Sequence, residues 1–135
     1  MSSIPRTPAR RMLIVEHERD VANSLARFFA AQGYSVCNAH TAGDAVAICN
    51  VFAPDVALVD VSTEHGAGFE LARYIRQKRQ DAVLIVATTS KGFVADRARS
   101  HDAGVDHYFV KSSDPHLLLG FVAHRPPAPP RPSRR

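Results

Sequence analysis

In this 135-residue chain the residue types able to do chemistry fall mainly in four polar clusters, each directly after an apolar run. They are Glu16-His17-Glu18, Asp60, Thr88-Thr89-Ser90 and Lys111-Ser112-Ser113. Taken singly, each is an ordinary place for a loop to begin. Brought to one rim, they would set an acid, a hydroxyl and an ammonium around a second acid, Asp60, and such a convergence marks a candidate site. Whether they meet depends on the elements that carry them.

Short β-rich runs occur at Met12–Glu16, Ser35–Ala39, Val56–Val59, Val83–Ala87 and Tyr108–Val110. The first, third and fourth are continuously apolar, the pattern of strands covered on both faces in a parallel sheet. Ser35–Ala39 is more polar and suits an edge. Helical spacing separates the runs. Val21, Leu25, Phe28 and Phe29 recur at i, i+4, i+7 and i+8, and Gly33 stands where a helix ends. Ala45, Ile48, Cys49 and Phe52 mark a second helix that Pro54 stops, and Leu71, Tyr74, Ile75 and Lys78 a third. Lys91–Ala103 has only a faint apolar stripe. In Asp114–Ala123, Asp114 is the expected N-cap and Pro115 the first helical residue, with Leu117, Leu118, Phe121 and Val122 inward. Five strands alternating with five helices predict an α/β fold: a flavodoxin-like (βα)₅ doubly wound parallel sheet of order 2-1-3-4-5. Its crevice lies beyond the carboxyl ends of the strands, where the four clusters sit.

Composition narrows the function classes. No apolar stretch is long enough for a membrane-spanning helix or a signal-peptide core, so a cytoplasmic protein without membrane contact is expected. The net charge of +4 comes from the ends. Setting aside Arg6, Arg10, Arg11, Arg125, Arg131, Arg134 and Arg135 leaves ten basic residues against thirteen acidic, a net −3. Nucleic-acid binding is therefore not expected beyond weak, sequence-independent contact through the tails. Residues 1–10 and 125–135, rich in Pro, Ser and Arg, read as disordered tails around a body at 11–124. Cys37 and Cys49 lack the close pairing of a structural metal site and read as two buried thiols. His40, His101, His107, His116 and His124 share no derivable face and are assigned to solvated surface.

Across about residues 11–124 the chain resembles the receiver domain of two-component response regulators. MLIVEHERDVANSLARFFAAQGYSV is similar to that family's first βα unit, which reads V-[DE]-D-[DE] at the strand end. PDVALVDVSTEHGAGFELARYIR is similar to the segment P-D-hydrophobics-D-x-x-M-P-x-x-[DS]-G-x-[DE]-L. LIVATTSKG matches the hydroxyl segment of strand four, and AGVDHYFVKS the segment A-G-[AV]-x-x-[YF]-hydrophobics-K-P. The resemblance implies Asp60 as phospho-acceptor, Thr88 as the hydroxyl meeting a phosphoryl oxygen, Lys111 as the ammonium pairing with it, and Tyr108 as the aromatic that switches rotamer. It implies Mg²⁺ held by Glu16, Asp60 and the backbone carbonyl of Ser62. Partners would be a sensor histidine kinase or phosphotransfer protein and a downstream protein, with a homodimer left open. It implies no enzyme beyond self-catalysed phosphoryl transfer and autodephosphorylation.

Three departures bear on this. His17 replaces the second acid, the family's central metal ligand, and imidazole suits Zn²⁺ or Cu²⁺ better than Mg²⁺. Mg²⁺ binding is therefore expected to be weakened. The loop pair M-P is Thr63-Glu64, and K-P is Lys111-Ser112. A cis bond costs about 0.5–1 kcal/mol before Pro but about 2.5–4 otherwise, so the Lys111–Ser112 bond is expected to be trans. One reading of His17 pairs it with Asp60 where the metal would be, neutralising the pocket without Mg²⁺. Another is a transition-metal site of Glu16, His17, Asp60 and His65. A third is simple drift.

The leading function is a single-domain receiver in a phosphorelay, accepting a phosphoryl group at Asp60 and signalling by protein contact. The alternative is a phosphorylation-independent pseudo-receiver, an interaction module left by the change at His17. A flavin-binding protein of the same fold is disfavoured, because the acids of EHERD repel phosphate.

Overall fold

The computed structural model describes residues 9–62, 66–90, 94–111 and 114–123. Five strands form one parallel sheet: β1 (Arg11–Val15), β2 (Ser35–Ala39), β3 (Val56–Asp60), β4 (Leu84–Thr89) and β5 (His107–Val110), in the order β2-β1-β3-β4-β5. The helices between and after them are α1 (Arg19–Ala31), α2 (Ala42–Phe52), α3 (Ala67–Arg79), α4 (Val94–Asp102) and α5 (Pro115–Ala123), with a short 3₁₀ turn at Gln80–Ala82. The expected fold and strand order are observed, and β2 lies at the edge.

Each central strand serves two cores at once. Leu13, Val15, Ala57, Val59, Ile85 and Ala87 face a cluster with Ala45 and Cys49 of α2 and Leu71, Ala72 and Ile75 of α3. Their neighbours Met12, Ile14, Val56, Leu58, Leu84 and Val86 face the other side, against Phe29 of α1 and Leu118 and Val122 of α5. This strict alternation explains why the runs are continuously apolar: both faces of the pleat are covered. Full burial of one such side chain contributes about 1.5–3 kcal/mol.

The helix ends follow local chemistry. Gly33, just past α1, takes a φ of +98° and donates its amide to Ala30 O at 3.0 Å. Thr41 caps α2 by accepting the Asp44 amide at 3.1 Å. At the start of α5 the Asp114 carboxylate accepts the His116 amide at 3.0 Å, the expected cap. The end of α2 is less favourable, because Ala53 is left-handed at φ 52°. A Cβ there costs about 1–2 kcal/mol. Ala53→Gly is expected to stabilise the domain by about 1 kcal/mol, raising Tm by about 4 °C. An unchanged or lowered Tm in a thermal melt would count against this.

Three expectations are corrected. Leu117 and Phe121, assigned inward, are 57% and 38% exposed, because α5 is apolar nearly all round and of its residues only Leu118 and Val122 are fully buried. Cys37 is only half-buried on the edge strand, although Cys49 is buried. His40 and His107 are half-buried, not solvated, with the His107 ring 5.1 Å from that of Phe121. Residues 1–8 and 124–135, most of both tails, lie outside the described residues, as do Thr63-Glu64, His65 and the Lys111–Ser112 bond. No described helix is long and apolar enough to cross a membrane.

Candidate functional site

Strand register builds the site. Val15 pairs with Val59, and Asp60 pairs with Thr88. Thr89 pairs with Val110, so β1, β3, β4 and β5 end close together. Backbone bonds carry the alignment past the strands: Val61 donates to Thr88 O at 2.8 Å and Lys111 to Thr89 O at 2.7 Å. Glu16 and Asp60 are thereby buried, each 2% exposed, although they are acids. Burying an unpaired carboxylate is prohibitive, so partners must be close.

They are. The Lys111 ammonium bridges both acids, 2.7 Å from Glu16 Oε1 and 3.3 Å from Asp60 Oδ2. His17 bridges them from the solvent side, its Nδ1 lying 3.1 Å from Asp60 Oδ2 and 3.4 Å from Glu16 Oε2. The other Asp60 oxygen, Oδ1, accepts the Ser62 amide at 2.9 Å and the Ser62 hydroxyl at 2.5 Å. Burial would raise the Asp60 carboxyl, but the two Ser62 bonds and Lys111 together hold it below its ordinary value of 3.8. Burial likewise opposes the Lys111 charge, but Glu16 and Asp60 outweigh it and raise the ammonium above its ordinary 10.5. An ionised Asp60 can only accept, so the His17 tautomer that suits this contact is the one with its proton on Nδ1.

Of the residues singled out in the sequence, Glu16, His17, Asp60, Ser62 and Lys111 come together directly. Thr88, 6% exposed, lies beside Asp60 in register and shares with Lys111 a groove of about 430 Å³ between α1, β5 and α5. Tyr108 lies on β5, paired with Ala87. It packs half-buried against the α2–α3 core, with the Arg97 guanidinium 4.8 Å from its ring centre. Two features were missed. His40 bonds the Glu16 carbonyl through Nδ1 at 3.1 Å and lines a cavity of about 220 Å³ with His17, Thr41 and Asp60. It directly follows β2, so searching every strand end, the edge included, would have found it. Ser62 was read for its carbonyl alone, but its hydroxyl bonds Asp60, the local side-chain contact short polar residues favour.

The donor set does not fit Mg²⁺. That ion wants octahedral oxygen at about 2.0–2.1 Å. Here an imidazole nitrogen replaces the central oxygen donor, and the acid oxygens are already bonded to His17, Lys111 and Ser62. Among the described residues, the group of three possible ligands within 4.8 Å of one another is Glu16, His17 and Glu18, without Asp60. The transition-metal set of Glu16, His17 and Asp60 is therefore not assembled, and its fourth member, His65, lies outside the described residues.

A buried acid pair at the carboxyl edge of a (βα)₅ sheet, answered by a lysine after β5, defines a receiver architecture, and comparison with known proteins agrees. The model of the response regulator receiver domain matches residues 12–123. The chain belongs to that family, the receivers of two-component signalling. It is 34% identical over 101 residues to response regulator MprA of Mycobacterium avium, covering 75% of this chain and 44% of that protein. MprA of Mycobacterium tuberculosis gives the same identity and coverage. The chain thus spans less than half the length of these relatives. Among solved structures, a CheY-like receiver domain from Methanospirillum hungatei superposes with a TM-score of 0.78 at 26% identity, covering 85% of this chain and 91% of that one. Chemotaxis protein CheY4 of Vibrio cholerae shares the fold at 0.79 and 22% identity, covering 85% and 97%.

Proposed function

We propose that this receiver accepts a phosphoryl group at Asp60 from a phosphohistidine of a cytoplasmic sensor kinase or phosphotransfer protein, and passes the signal on by protein contact. The observation that carries this reading is Asp60, buried at the end of β3 with the Lys111 ammonium 3.3 Å from its Oδ2. A carboxylate is a competent phosphoryl acceptor when a cation meets the charge that moves in the transition state. An Asp60 oxygen forms the new O–P bond as the donor's N–P bond breaks, and the donor imidazole keeps the bonding pair. Lys111 neutralises the arriving oxygens, and Thr88, paired with Asp60 in register, offers its hydroxyl to one of them. Tyr108, paired with Ala87 and stacked under Arg97, is the aromatic proposed to report the change. Turnover of an outside substrate forms no part of the proposal.

One observation favours a second reading, the pseudo-receiver: both Asp60 oxygens are already bonded, and the residue is almost wholly covered. Incubation with acetyl phosphate or phosphoramidate, with and without Mg²⁺, followed by intact mass decides between them. The expected result is a gain of one phosphoryl group that Asp60→Ala abolishes. A folded protein that gains no mass under any condition is a pseudo-receiver.

A further inference from the structure

His17 and Lys111 stand in the same relation to the two buried acids. Each contacts both: Lys111 at 2.7 and 3.3 Å, His17 at 3.4 and 3.1 Å. Glu16, Lys111, Asp60 and His17 thus close a ring in which the two acids alternate with two nitrogen bases. Glu16 turns Oε1 to Lys111, while Oε2 accepts the Glu18 amide at 3.1 Å and lies 3.4 Å from His17, so both of its oxygens already have partners. The Glu16 backbone is fixed as well, its amide on Ala39 O at 2.9 Å and its carbonyl on His40 at 3.1 Å. The acid therefore cannot turn without breaking contacts on both sides. Ser62 holds the remaining Asp60 oxygen.

We infer that His17 occupies the place of a divalent cation, so that the two acids are bridged by the chain's own side chains and phosphoryl acceptance at Asp60 is independent of Mg²⁺. A strongly hydrated ion would have to displace the imidazole from two acids at once, and would gain from it no oxygen ligand in return. The imidazole instead stands between the two acids, its Nδ1 3.1 Å from Asp60 Oδ2 and 3.4 Å from Glu16 Oε2, where the ion would otherwise lie. The inference rests on Asp60 being the acceptor, and the test separates the two claims.

Wild type and His17→Asp are each treated with phosphoramidate in excess EDTA and in millimolar Mg²⁺. During labelling the Asp60 O–P bond forms as the reagent's P–N bond breaks, and the nitrogen leaves as ammonia with the bonding pair. In parallel, backbone amide NMR follows a Mg²⁺ titration of both proteins. Wild type is expected to be labelled at the same rate within about twofold in either buffer, with no Mg²⁺-induced shifts around residues 16–18 and 60–62. His17→Asp is expected to bind Mg²⁺ at least about tenfold more tightly, the order by which a single altered metal-site contact changes affinity. Its labelling is expected to become Mg²⁺-dependent. The side chain at 17 is half-exposed, so this variant is expected to fold, and the amide spectrum reports it directly. Wild-type labelling that needs Mg²⁺, or saturable Mg²⁺ shifts in the wild-type pocket, would overturn the inference. So would a wild type inert in both buffers beside a His17→Asp protein labelled with Mg²⁺, while leaving Asp60 as acceptor. Labelling of neither protein in either buffer would overturn both claims.

Discussion

Lys111→Met is expected to destabilise the domain by about 3 kcal/mol at neutral pH, the low end of what breaking a buried ion pair costs. Lys111 is the ammonium between two acids that are each 2% exposed, and removing it leaves His17 as their shared partner. Methionine keeps most of the apolar stem, so the loss reports the charge more than the packing. The lower end of the range applies because the Lys111 side chain is itself about a quarter exposed.

The pH dependence fixes the sign. Asp60 has a folded pKa below its ordinary 3.8, so its contribution is present above that value and fades as pH falls through the folded one. Lys111 has a folded pKa above its ordinary 10.5, so its contribution is present below 10.5 and fades as pH rises through the folded one. Together they stabilise the fold between about pH 4 and pH 10.5, the window bounded by those ordinary values. Urea unfolding of both proteins should show the gap widest near pH 7 and narrowing below about pH 4 as Asp60 takes up a proton. A gap that stays constant into acid would assign the loss to the stem of Lys111 and count against the ion-pair account.

The sheet was legible because its signal is redundant. Met12–Val15 and Val56–Val59 are apolar at every position, and this pattern, repeated between helical spacings, admits few windings. The polar residues at the strand ends were then located by topology alone, before any contact was known. What escaped needs the third dimension. Arg76, an unremarkable base at the end of α3, bonds Gly104 O at 2.9 Å, Val83 O at 2.9 Å and Asp106 Oδ2 at 2.6 Å, and also meets Gln80 O. It ties α3 to the residues that lead into β4 and β5, and no spacing in the sequence announces that. In α5, Leu117 and Leu118 are chemically equal, and only the approach angle of the helix decides that one is exposed and the other buried. The pairing of His17 with Asp60 was legible as one reading among three. The bridge to Glu16, which turns a pair into a ring, was not.

The second large effect is expected from the smallest residue near the pocket. Gly68 lies in the first turn of α3 and is buried. A Cβ there would fall 2.9 Å from Val61 Cα and well inside contact distance of the Asp60 carbonyl oxygen. Both neighbours are backbone, so no rotamer change relieves the overlap, and its φ is not in the left-handed region. The glycine is required for close approach: the helix presses its first turn onto the end of β3, seating Phe69 and Leu71 in the core. Gly68→Ala is expected to cost about 3 kcal/mol, the upper range for overpacking a tight interior. The clash falls on the backbone of Asp60, so the ring at Glu16, Lys111 and His17 should loosen with it. Stability and phosphoryl acceptance should therefore fall together. Gly120→Ala is the control, since a Cβ in α5 meets nothing within 4 Å. That change should stabilise the helix by up to about 1 kcal/mol and leave labelling intact. If Gly68→Ala melts with the wild type and labels at its rate, α3 does not press on β3, and the placement of Asp60 must have another cause.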